Sequence, residues 1–70
     1  MYDAGQLLRD ARLRSGLDQA QLARRSSTTQ PYVSRVERGV TVPSLPTLER
    51  LLRAMGLRLR IEEAMALSRS

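Results

Sequence analysis

Apolar positions recur along most of this chain at intervals of three and four residues, the spacing that gathers side chains on one side of an α-helix. In the first stripe, starting near Asp3 or Ala4, Leu7, Leu8 and Ala11 face inward while Arg9, Asp10 and Arg14 face outward. Gly16 ends it, and Leu17 plugs the junction. Asp18 is a good N-cap for a second helix, whose inward side is Leu22 and Ala23 and whose pattern runs out at Ser26-Ser27. Thr29 caps a third, from about Gln30 to Arg38, where an early Pro31 costs little and Val33 and Val36 recur. Gly39 supplies the left-handed residue on which helices commonly end. After a loop, GVTVPS, Ser44 caps a fourth helix with Pro46 in its first turn. Its apolar side is Leu45, Leu48, Leu51, Leu52 and Met55, and Gly56 stops it.

The periodicity changes after Gly56. LRLRI alternates as a half-buried strand does, with Leu57, Leu59 and Ile61 on one face and Arg58 and Arg60 on the other. Nothing else in the chain reads as a strand. A lone strand has unpaired backbone groups along both edges, so it calls for the same segment of a second copy and predicts a homodimer joined by an antiparallel ribbon. The competing reading is a fifth helix using Leu57, Ile61, Ala64 and Met65.

The second and third helices, joined by a tight polar turn, make a helix-turn-helix, a unit able to lay its second helix in the DNA major groove. With Val33, Val36 and Glu37 inward, the outward positions of that helix are Gln30, Pro31, Tyr32, Ser34 and Arg35. Gln matches the edge of adenine and Arg that of guanine, so these five are the candidate base readers. Gln19 and Thr29, each at a helix start, and Arg38 are the candidate phosphate contacts. Arg12 follows Leu8, and Glu37 follows Val33, at the spacing that aims both at the core. An unpartnered buried carboxylate is costly, which favours an ion pair; the alternative is that both are solvated at helix edges.

Composition narrows the function further. Seventy residues predict one small domain, near the size where a partner chain often helps stability. Twelve basic against seven acidic residues give a net charge of +5, and every basic residue is Arg. That suits a polyanion such as double-stranded DNA, while a merely solvated surface would carry the same balance. The absence of Cys and His excludes disulfides and the usual zinc sites, and with the scattered carboxylates it predicts no enzyme and no metal or other cofactor. Arg interrupts every apolar run, so neither a membrane span nor a signal peptide is expected and the predicted location is cytoplasmic.

Three blocks, GLDQAQLARRS, TTQPYVSRVERG and VPSLPTLERLLRAMG, resemble the Xre/Cro-type helix-turn-helix regulators over roughly Gly5 to Gly56. The resemblance implies an all-α, lambda-repressor-like four-helix domain over residues 1–56, with Gln30, Pro31 and Arg35 touching bases and Gln19 holding a phosphate. It also implies the Arg12–Glu37 pair. Two departures stand out. Pro31 can offer only an apolar contact, and Ser27 replaces the Gly usual in the turn, at a backbone cost. The alternating segment at 57–62 is similar to the dimerisation strand that ends HipB-like antitoxins. That branch implies repression of an inverted-repeat operator and a kinase-like toxin as partner, with residues 63–70 as a tail.

Overall fold

Each helix starts on a side chain that takes up one of the N–H groups an opening turn leaves free. In the computed structural model, which describes residues 3–58, Asp3 accepts from the Gln6 N–H at 3.1 Å and begins α1 (Ala4–Arg14). Asp18 accepts from the Gln21 N–H at 2.7 Å, while the Gln21 side chain accepts from the Asp18 N–H at 2.9 Å, a reciprocal box that opens α2 (Gln19–Arg25). Thr29 caps α3 (Gln30–Glu37) through the Tyr32 N–H, and Ser44 caps α4 (Leu45–Arg53) through the Thr47 N–H. The four predicted helices are thus in place, each within two residues of its expected bounds.

The four helices also end alike. A residue with positive φ lets the following N–H reach back five positions: Leu17 to the Arg12 carbonyl, Thr28 to Ala23, Val40 to Arg35 and Leu57 to Leu52. Three of the turning residues are Gly16, Gly39 and Gly56. The fourth is Ser27, at φ 58°, the strained position that its sequence implied. Ser27→Gly should therefore raise stability by about 0.5–1 kcal/mol, the left-handed penalty being partly offset by the greater freedom of Gly in the unfolded chain. For a domain this small that is a rise of about 2–8 °C in Tm, readable by circular dichroism.

The core forms where α1, α3 and α4 converge and α2 closes against α3. Leu8, Leu22, Ala23, Val33, Val36 and Leu51 make one buried cluster, and Ala4, Ala11, Leu48 and Leu52 a second between α1 and α4. Leu17 is buried at the first junction, as expected. Two members of the predicted stripes are not core. Leu7 and Leu45 lie at the edges of their stripes and are 37% and 52% exposed. A helix buries a face, and residues flanking that face keep one side in water.

Among the described residues there are four helices and no strand. The predicted strand over 57–62 is only partly covered: Leu57 and Arg58 have no regular structure, and Leu59 and Ile61 lie outside the described residues, as does most of the alternative fifth helix. Leu57 takes part in closing α4, its N–H donating to the Leu52 carbonyl. Its side chain, 44% exposed, lines a groove with Leu7 and Ala11 of α1.

Candidate nucleic-acid interface

Burial of Val33 and Val36 on one side of α3 decides what the other side presents. Gln30, Pro31 and Arg35 are exposed along it, and Arg35 makes no ion pair among the described residues. Tyr32 and Ser34 are different. Both are half-buried, and the Tyr32 ring packs against the main core cluster, so of the five predicted base readers these two show only part of their surface. Thr29 is exposed, its hydroxyl oxygen already accepting the Tyr32 N–H. Arg38, also exposed, folds back so that its Nε donates to the Ser34 carbonyl at 3.4 Å.

Beneath this surface, Arg12 and Glu37 meet as a two-pronged ion pair. Arg12 Nε donates to Glu37 Oε2 at 2.6 Å and Nη2 to Oε1 at 2.9 Å, with side-chain exposures of 11% and 5%. A third Arg12 donor, Nη1, reaches the Leu17 carbonyl at 3.0 Å. The hydrogen bond to Glu37 holds the guanidinium above its ordinary pKa, outweighing the opposing effect of burial. The predicted pairing is therefore present and the solvated alternative is not. Because α1 brings Arg12 and the end of α3 brings Glu37, the pair ties the supporting helix to the exposed one.

The network continues toward the surface. Gln19 Nε2 donates to Glu37 Oε1 at 3.2 Å, and Gln30 Nε2 donates to Gln19 Oε1 at 2.7 Å. Sequence reasoning placed Gln19 and Gln30 in separate roles and missed that they touch. The sequence held half of the signal, since each is the first helical residue after its cap, Asp18 and Thr29; the other half is the packing of α2 on α3, which sets the two helix starts side by side. Gly5 was also missed, as a site of close approach. A Cβ there would collide with the Val36 carbonyl and stand 3.0 Å from that of Glu37, so this glycine lets α1 press on the end of α3.

Two helices with a tight turn, the second presenting a polar row outward, define a helix-turn-helix unit. The chain belongs to the helix-turn-helix domain family, whose profile it matches over residues 3–65. It is also 41% identical, over 51 residues, to an uncharacterized HTH-type transcriptional regulator of Haemophilus influenzae. The match takes in 73% of this chain and 52% of the relative, so the chain spans about half the length of the curated protein it resembles.

Proposed function

We propose that this protein is a sequence-specific, DNA-binding transcription regulator that lays α3 in the major groove. The observation that carries this is the exposed row Gln30, Pro31 and Arg35 on a helix whose opposite side is locked into the core. Gln30 and Arg35 read base edges by hydrogen bonds and Pro31 makes an apolar contact, while Tyr32 and Ser34 contribute at the rim of the row. Thr29 and Arg38 flank it as phosphate contacts, and Gln19 adds its second amide hydrogen to the same task. The net charge of +5 favours the same polyanion.

In the finer form of the proposal, two copies act as a cytoplasmic, non-enzymatic repressor on an inverted repeat whose half-sites lie about 34 Å apart, one helical turn. Their junction is assigned to residues 57–62, with Leu59 and Ile61 pairing across it and Leu57 at its start, and residues 63–70 extend from there. The antitoxin reading adds a kinase-like toxin held by the same dimer; the reading frame next to this one decides it, since an unrelated neighbour removes its motive. A rival module that binds only protein is favoured by the exposed Leu13, 57% accessible, and by the groove beside Leu7.

Selection from a randomised duplex pool tests the proposal directly. A preferred site should emerge, and affinity for it should fall steeply with salt, roughly tenfold or more between 50 and 200 mM if several phosphates are held. Recovery of no sequence, with no salt dependence, would leave the protein-binding module standing. Against the selected site, Arg35→Ala should lose about 1–3 kcal/mol at its own base pair and relax specificity there. A uniform loss on every duplex would show that Arg35 contacts phosphate instead.

A further inference from the structure

We propose that Glu37, though buried behind the interface, fixes the amide polarity of Gln30 and thereby makes it a reader of adenine rather than guanine. This rests on the DNA-reading role of α3 given above. The chain of constraint starts from chemistry that has one solution. A carboxylate held by Arg12 can only accept hydrogen bonds, so the end of Gln19 that faces Glu37 Oε1, 3.2 Å away, must be its NH2. The carbonyl of Gln19 is then on its other side. That oxygen also only accepts, so Gln30 must turn its own NH2 toward it, at 2.7 Å.

Gln30 is left with one amide hydrogen and its oxygen for the groove, and this is the pattern that complements adenine, which offers an acceptor at N7 and a donor at N6. Guanine offers two acceptors, N7 and O6, and would set its O6 against the Gln30 oxygen. An amide at position 37 could present either end to Gln19. The relay could then run in both senses, and Gln30 could turn both hydrogens outward. Glu37 is thus a positioning residue, acting on the base through Gln19 and Gln30.

The test begins with the duplex selected by the wild-type protein, taking as Gln30's position the base pair whose preference is lost in Gln30→Ala. Wild type should prefer adenine over guanine there by about tenfold or more. In Glu37→Gln, shown by circular dichroism to be folded, the ratio should fall to within about threefold while preferences at other positions persist. Gln19→Met, which leaves the buried ion pair intact, should show the same fall. A folded Glu37→Gln that keeps the full ratio would overturn the proposal, as would a wild type that prefers guanine.

Should Glu37→Gln fail to fold, the decision passes to Gln19→Met and to the wild-type protein in solution. There a through-hydrogen-bond coupling between Gln30 Nε2 and Gln19 Cδ is expected, and coupling in the reverse sense, from Gln19 Nε2 to Gln30 Cδ, overturns the relay. Because this coupling is measured without DNA, it separates failure of the relay from failure of the regulator reading, which a selection with no winning sequence would reveal.

Discussion

Arg12→Ala should bring the protein to the edge of unfolding at 25 °C. The substitution removes all three of the hydrogen bonds that Arg12 makes to Glu37 and Leu17, and it strands a carboxylate that is 5% exposed. Breaking a buried pair from one side costs about 3–5 kcal/mol, because the surviving charge keeps its desolvation penalty and loses its partner. A domain of this length has on the order of 5 kcal/mol of stability in total, so the loss is comparable with the whole. Urea titration followed by circular dichroism reads it. A loss below about 1 kcal/mol would mean that Glu37 escapes to water and that the pair is structurally idle.

Replacing both partners by apolar residues separates two jobs the pair performs. Arg12→Met with Glu37→Leu leaves no buried charge, and such exchanges are often neutral for stability. The double variant should be clearly more stable than Arg12→Ala, yet it lacks the acceptor that holds Gln19. The charge on Arg12 plays no part in stability changes near neutrality. Its pKa is raised in the folded protein, so its contribution is complete below the ordinary guanidinium range and is lost only as the pH climbs through the elevated value.

What the sequence made legible follows from range. Caps are local: Asp18, Thr29 and Ser44 act within three residues of themselves, and each was identifiable. The inward aim of Arg12 and Glu37 followed from helical periodicity alone, and the cost of a buried charge then paired them across 25 residues. The link between Gln19 and Gln30 was not legible, because it depends on how closely α2 packs on α3. The half-burial of Tyr32 was not legible for a related reason. Periodicity put it outside, but a large ring beside buried Val33 gains more by leaning on the core than by standing in water. The alternation that begins at Leu57 gave no sign that the Leu57 N–H closes the end of α4, a contact set by the positive φ of Gly56.

Gly5→Ala should destabilise the domain by about 3 kcal/mol, the upper end of the usual penalty for overfilling a packed site. Intrinsic preference points the other way, since Ala is favoured over Gly inside a helix by about 1 kcal/mol. Space decides the sign. The new methyl would overlap the Val36 carbonyl and press on that of Glu37, and these are backbone atoms at the end of α3 that have no rotamer by which to yield. Relief requires α1 to lift away from α3, which withdraws Leu8 from the main cluster and Arg12 from Glu37. Base reading would then suffer with stability, because the same shift disturbs the carboxylate that anchors Gln19 and Gln30. Urea titration of Gly5→Ala beside Ser27→Gly should give opposite signs. A neutral or stabilising Gly5→Ala would show that α1 and α3 can part at Gly5 without cost, and the coupling between the buried pair and the exposed row would lose its geometric basis.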